Sequence, residues 1–305
     1  MTAYFNGRFM EKDEIRISPD DRGFLFSDSL YEVIRYYPGL LFRPEAHIRR
    51  LNHGADHLRL ACRNFSHLIP VARDLIRKNH LADQDALVYI QVTRGTAPRN
   101  HPFPDPVPEP TVYMCVSGFD PTVKDRQRKT GIHAITVPDI RWARCDMKTT
   151  GLTANVLASQ QAAEKKAGEA IFVRDGVLME GTHANFMAVF ENTVTTAPLS
   201  NYILGGITRE TVLDLCRELN IRTSQEPVYD NRIHLASELM ITGTTTEITP
   251  IVTLNTKPVG NGAPGPVAKA LQAAFSSKIK QMQKQDPWFS PMKKDENSLN
   301  HSENP

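Results

Sequence analysis

Arg144-Cys145-Asp146-Met147-Lys148-Thr149-Thr150-Gly151 follows a predicted strand at 132–137 and precedes a predicted helix at 153–167. The stretch is polar and ends in Thr-Thr-Gly, so it reads as a loop that carries a lysine. Downstream, apolar runs and helical spacing predict strands near 169–174 and 185–190, a helix at 208–219, strands near 238–242 and 250–254, and a helix at about 265–284. Upstream, short strands at 3–10 and 29–43 turn at Asn6-Gly7 and Pro38-Gly39. Tyr31-Glu32-Val33-Ile34-Arg35-Tyr36 alternates imperfectly and reads as a half-buried strand. Pro44 opens a helix with Ile48, Leu51, Ala55, Leu58 and Ala61 on one face, and a second helix spans about 66–79. Strands follow at 86–93 and 111–116. Hairpins with helices, then a strand-rich half with helices, define an α+β chain rather than a doubly wound sheet. Neither GxGxxG nor a P-loop occurs, so dinucleotide and nucleoside triphosphate sites lack support.

At 305 residues, and about 150 residues per domain, the chain accommodates two domains. The boundary falls at the mixed-charge stretch 119–130. It divides a small N-terminal α/β domain, 1–118, from a larger C-terminal domain, 131–284. Residues 285–305 are polar and read as a disordered tail. Pro98, Pro102, Pro104, Pro106, Pro108 and Pro110 make 97–110 a stiff surface loop. Thirty-six Lys and Arg against 34 Asp and Glu give a net charge of +2, against a general nucleic-acid binder. The four cysteines are scattered without a CxxC pair, so neither a disulfide framework nor a metal site is expected. No run approaches the ~20 apolar residues of a membrane helix, and Met1-Thr2-Ala3-Tyr4 lacks the pattern of a signal peptide. A cytoplasmic enzyme is expected.

Five features could carry chemistry, and each has an ordinary alternative. Lys148 in a loop is a solvated lysine unless its site activates it. Glu180, beside Gly181, is a turn glutamate or a fixed anion facing a cationic ring nitrogen. Gly205-Gly206-Ile207-Thr208 opens a helix, either capped by Thr208 or offering free N–H groups to a phosphate. Thr242-Gly243-Thr244-Thr245-Thr246 is a β-turn with solvated hydroxyls or a second phosphate loop. Arg99 and His101 are a basic loop tip, or point the same way from extended backbone and grip one carboxylate.

Their order and spacing say more. From about residue 4 to 280 the chain resembles the fold-type IV pyridoxal-phosphate enzymes, the class IV aminotransferases. Within that family it is most similar to the bacterial D-amino-acid aminotransferases. The matching segments include Asp21-Arg22-Gly23-Phe24, Tyr31-Glu32-Val33, Glu45 to Leu51, Gln91 to Thr96, Asp139-Ile140-Arg141-Trp142, Cys145 to Lys148, Glu180-Gly181, Gly206 to Arg209 and Glu247 to Pro250. The resemblance implies a two-domain fold whose larger domain is β-barrel-like. It implies pyridoxal 5'-phosphate, alternating with its pyridoxamine form in a ping-pong transamination of D-amino acids with 2-oxoglutarate or pyruvate. Lys148 would hold the cofactor as a Schiff base and act as the general base. Glu180 would pair with the ring nitrogen and Leu204 would pack on the ring. Arg50, the N–H groups of Ile207 and Thr208, and the Thr244 hydroxyl would bind the phosphate. Tyr31, Arg99 and His101 would trap the substrate carboxylate, the last two reaching in from the other subunit of a homodimer.

The chain departs from the family pattern in three places: Ser27-Asp28-Ser29 before the tyrosine, Thr182-His183-Ala184 after Glu-Gly, and Gly243 where the family carries a serine. A branched-chain L-amino-acid aminotransferase, an (R)-amine aminotransferase and an aminodeoxychorismate lyase are the alternative activities for this scaffold. A scaffold role without catalysis is disfavoured by the coexistence of lysine, glutamate and phosphate loops.

Overall fold

The computed structural model describes residues 1–286. The elements run β1 Thr2–Phe5, β2 Arg8–Glu11, α1 Arg22–Phe26, β3 Ser29–Tyr37, β4 Leu40–Leu41, α2 Pro44–His57, α3 Leu68–Lys78, β5 Ala86–Thr93 and β6 Val112–Gly118. Then come α4 Thr122–Thr130, β7 Ile132–Pro138, α5 Thr153–Glu164, β8 Glu169–Arg174, β9 Val177–Gly181, β10 Asn185–Phe190 and β11 Thr193–Thr196. The rest are α6 Ile207–Glu218, β12 Arg222–Gln225, β13 Val228–Tyr229, β14 Glu238–Gly243, β15 Glu247–Leu254, β16 Lys257–Pro258 and α7 Pro266–Gln285. The expected tail lies outside the described residues, apart from Gln285, which ends α7, and Asp286.

Two sheets organise these elements. The first has the order β2-β1-β6-β5-β3-β4. Its β1–β2 hairpin turns at Asn6 and Gly7, both at positive φ (44° and 89°), which suits the right-handed twist of the strands it joins. Helices α2 and α3 cover one face. Ile48, Leu51, Ala55, Leu68, Leu75 and Ile76 meet Ile34, Val88, Ile90, Met114 and Val116 there. Strand β3 is not half-buried as its alternation suggests. Glu32 and Arg35 lie inside, 0% and 3% exposed, because each finds a charged partner. Arg35 donates to Asp85 at 2.8 Å and its guanidinium lies 3.8 Å from the Phe119 ring centroid.

The second sheet has the path β12-β11-β10-β14-β15-β7-β8-β9-β13. A further pairing joins β10 back to β9 at Asn185 opposite Glu180. Strands β10, β14, β15, β7, β8 and β9 therefore form a closed ring, the expected β-barrel-like body. Alternation along β10 fits closure: Phe186 and Ala188 join one apolar cluster with Ile171, Leu178 and Ile241, whereas Met187 and Val189 join another under α6 and α7. That second cluster also takes in Tyr37, Leu40 and Phe42 from the β3–β4 hairpin, which ties the two sheets together.

The stretch expected as a linker holds helix α4, with no buried residue of its own. It is held at its C-terminal turn: Gln272 donates to the Arg128 carbonyl at 2.9 Å, and Arg128 lies 3.5 Å from Glu247. Strands β9, β11, β12, β13 and β16 are not legible in the sequence pattern. Among the described residues no helix is long and apolar enough to cross a membrane. All four cysteines are free, and burial pushes the Cys145 and Cys216 thiols up to about 11, so both stay protonated.

Candidate active site

Strand β3 of the first sheet faces the loop 139–152, which connects β7 of the second sheet to α5. The Tyr31 N–H donates to the Lys148 carbonyl at 3.0 Å, and Leu30 bridges Thr149. The Ser29 and Thr150 hydroxyls share a hydrogen bond. The loop is thus pinned by backbone, and the Lys148 side chain is left to project over the Tyr31 ring, Nζ 4.2 Å from its centroid. There it borders a cleft with about 790 Å³ of atom-free space.

Glu180 lies on β9, in a strand and not in a turn, and is 5% exposed. Arg141 hydrogen-bonds its Oε1. Asn185 Nδ2 and the Leu204 N–H donate to Oε2 at 3.2 Å and 3.1 Å. Arg141 is itself gripped by Asp139, at 2.9 Å to each carboxylate oxygen. Burial pushes the Glu180 carboxyl above the usual carboxylate range, while Arg141 and the Leu204 N–H pull it back. A carboxyl so poised suits a proton shared with a basic ring nitrogen.

The opposite part of the cleft is built for an anion. No side chain caps α6, whose N-cap is Gly206 and not Thr208. Ile207 and Thr208 therefore offer backbone N–H groups at the positive end of the helix. A Cβ on Gly206 would sit 1.9 Å from Asn185 Oδ1, so only glycine lets the helix start this close to β10. Arg50, on α2, spends its Nε and Nη2 on Glu32 at 2.6 Å and 2.7 Å, and its Nη1 on the Gly205 carbonyl at 2.9 Å. Three of a guanidinium's five N–H groups are then engaged, which leaves two for a ligand. His47 holds the other side of Glu32, Nδ1 to Oε2 at 2.8 Å; burial lowers its pKa, so a neutral ring donates. Thr242, Gly243 and Thr244 close the cleft from the β14–β15 connection. The buried Thr242 hydroxyl finds no hydrogen-bond partner among the described residues, the mark of a group awaiting a ligand.

Eight of the ten residues predicted from sequence line this one cleft: Tyr31, Arg50, Lys148, Glu180, Leu204, Ile207, Thr208 and Thr244. Arg99 and His101 do not. They lie exposed on the proline-rich loop, both packed on Phe26, with Arg99 Cζ 5.2 Å and the His101 ring 5.6 Å from its centroid. Arg22 anchors that loop by donating to the Asn100 carbonyl at 2.6 Å. Sequence reasoning gave no role to Glu32, Arg141 or Asn185, and singled out Thr244 rather than Thr242 in the threonine loop. The signal for Glu32 was present, as a carboxylate breaking an apolar strand.

An amine-bearing loop, a buried acid and an uncapped helix start around one cleft define an enzyme site for a small cofactor with a basic ring and a phosphate. The class IV amino-transferase family model matches residues 29–254. The D-alanine aminotransferase of Bacillus licheniformis is 38% identical over 282 residues, covering 92% of this chain and 97% of that one. The Staphylococcus haemolyticus D-alanine aminotransferase is 37% identical over 278 residues, covering 91% and 97%. In structure, the Escherichia coli branched-chain amino acid aminotransferase matches with a TM-score of 0.84 at 25% identity, over 90% of this chain and 93% of that one. The protein belongs to the class IV aminotransferases and has their fold-type IV architecture. It is an aminotransferase whose cofactor is pyridoxal 5'-phosphate, acting on amino acids and 2-oxo acids.

Proposed function

We propose that the protein transaminates D-amino acids such as D-alanine and D-glutamate with 2-oxoglutarate or pyruvate. The observation that carries this reading is the meeting of Lys148, Glu180 and the uncapped start of α6 in one cleft. The D preference rests on the D-alanine aminotransferase relatives, which run alongside nine-tenths of the chain, and on the Arg99-Asn100-His101 spacing. Within this reading the chain divides at 119–130, into a small domain 1–118 and a cofactor-binding domain 131–284. Two copies associate so that Arg99 and His101 of one serve the cleft of the other, and the enzyme works in the cytoplasm.

When bound, pyridoxal phosphate supplies an electron sink for the carbanion formed at the substrate Cα. The Lys148 amine removes the Cα proton; its loop is fixed by Tyr31 and Thr150, so the amine moves by side-chain torsion alone. Glu180 holds a proton at the ring nitrogen, and Arg141 and Asn185 keep the carboxyl aimed. Ile207, Thr208, Thr244 and Arg50 bind the phosphate. Leu204, whose N–H fixes Glu180, would lie against the ring. Tyr31, Arg99 and His101 hold the α-carboxylate, which decides the enantiomer that presents its hydrogen to Lys148.

The deciding experiment compares D-alanine with L-leucine as donor to 2-oxoglutarate. Faster turnover of L-leucine would overturn the D assignment in favour of the branched-chain activity named for the E. coli structural neighbour. Glu180→Gln keeps the acceptor for the Leu204 N–H but removes the charge. It should lower kcat by roughly a hundredfold while cofactor remains bound, as read by steady-state kinetics and absorbance. Arg99→Ala should weaken use of D-amino acids by roughly ten- to a hundredfold, from the ~1.5–3 kcal/mol of a charge-assisted contact. An unchanged kcat/KM would remove Arg99 from the carboxylate trap.

A further inference from the structure

Outside the cleft, three metal-ligating side chains converge. His53 and His57 stand four residues apart on α2, one turn along the same face. Asp146 approaches them from the Lys148 loop, and one ligand atom from each of the three lies within 4.8 Å of the others. The imidazole rings are 4.2 Å apart, centroid to centroid. His57 Nδ1 lies 2.9 Å from the His53 carbonyl oxygen, which can only accept, so Nδ1 carries the proton. Nε2 is thus the nitrogen left for a metal, the arrangement that orients metal-binding histidines elsewhere. Both rings are solvent-exposed, and a cleft with about 910 Å³ of atom-free space borders His53 and Asp146, leaving room for water on the remaining coordination positions.

We propose that His53, His57 and Asp146 form a site for a divalent first-row transition ion, Zn²⁺ being the reference case. Filling it clamps the Lys148 loop to α2. Two imidazoles and a carboxylate suit such ions rather than Ca²⁺ or Mg²⁺. Zn–N bonds of about 2.0–2.1 Å with tetrahedral angles need neighbouring ligand atoms about 3.3 Å apart. Rotation of the exposed His53 side chain and of Asp146 supplies that closure while His57 keeps its bond to the His53 carbonyl. One group opposes it: Arg144 forks onto Asp146, at 3.0 Å to each oxygen. Its side chain is 40% exposed and free to swing out. Asp146 lies two residues before Lys148, and α2 carries Arg50. The ion thus links two parts of the cofactor site from outside, without entering it.

The test is calorimetric titration of Zn²⁺ into the holoenzyme, with thermal unfolding followed alongside and Co²⁺ absorbance reporting coordination. Wild type should bind Zn²⁺ and unfold at a higher temperature with it. His57→Ala and His53→Ala should each lose roughly tenfold or more in affinity. Asp146→Asn should weaken binding and abolish the thermal shift. Arg144→Ala should tighten binding by removing the competing cation. No heat and no shift in wild type at millimolar Zn²⁺, or undiminished affinity in His57→Ala, would overturn the site. Unchanged affinity in both Asp146→Asn and Arg144→Ala would overturn the clamp.

Discussion

Lys148→Ala should lower transamination by on the order of 10⁴-fold, the upper range for a lost general base, and abolish the absorbance of the lysine-linked cofactor. The loss will be chemical and not structural, because the loop is held by groups that alanine retains. The Tyr31 N–H bonds the backbone oxygen of residue 148, and Ser29 bonds Thr150. Circular dichroism and the unfolding midpoint should therefore match wild type. A variant that stays coloured and active would show that another amine does the work. The uncapped α6 and Arg50 remain, so noncovalent cofactor should still bind, though more weakly.

Glu32→Gln should be the most destabilising single change in the site. It leaves the Arg50 guanidinium, 12% exposed, without its carboxylate, and the one remaining oxygen cannot serve all the donors of Arg50 and His47, so an amide NH2 is set against a donor. Breaking a buried pair by removing one partner costs about 3–5 kcal/mol. In a chain of this size that lowers the unfolding midpoint by on the order of 10 °C. The drop should be smaller with cofactor bound, since the phosphate gives Arg50 a second anion. Equal drops with and without cofactor would mean that Arg50 does not reach the phosphate. The same cluster gives acid lability. Arg50 and His47 hold the Glu32 carboxyl at about 2, below its ordinary 4.5. Its contribution, about 3 kcal/mol, is therefore full above pH 4.5 and disappears as the pH falls towards 2. The buried His47, its pKa also depressed, adds a loss that begins as the pH falls through 6.5. Glu32→Gln should flatten the acid limb of stability against pH between 4.5 and 2, as read by denaturant unfolding.

The sequence discloses elements best where one local rule prevails. Ala86–Thr93, a run of apolar and β-branched residues broken only by Gln91, is predicted at the boundaries it has in the fold. The start of the helix at Pro44 and the turn of the hairpin at Asn6-Gly7 are placed correctly as well, although the helix stops at His57, short of the apolar spacing that runs on to Ala61. It misleads where a partner far along the chain decides. Glu32 and Arg35 look like solvent-facing breaks in a strand, yet are buried because Arg50 and Asp85 await them. Glu180 reads as a turn residue because β9 is short and ends in glycine; only its neighbours across the sheet make it a strand. The charges of 119–130 suggest a solvated linker, and the stretch is a solvated helix. In the site, Lys148, Glu180 and the α6 start are legible through their order along the chain. Arg141, Asn185 and Glu32 act through contacts that no spacing rule encodes.

The ring of strands closes through one residue pair, Asn185 opposite Glu180. Those two side chains also hydrogen-bond each other and share the Leu204 peptide. The seam of the barrel and the seat of the acid are one object. Heat or denaturant that opens the seam releases the anion, and a substitution that frees the anion loosens the seam. Inactivation should thus coincide with opening of the larger sheet, with no window in which an intact barrel outlives its catalytic competence.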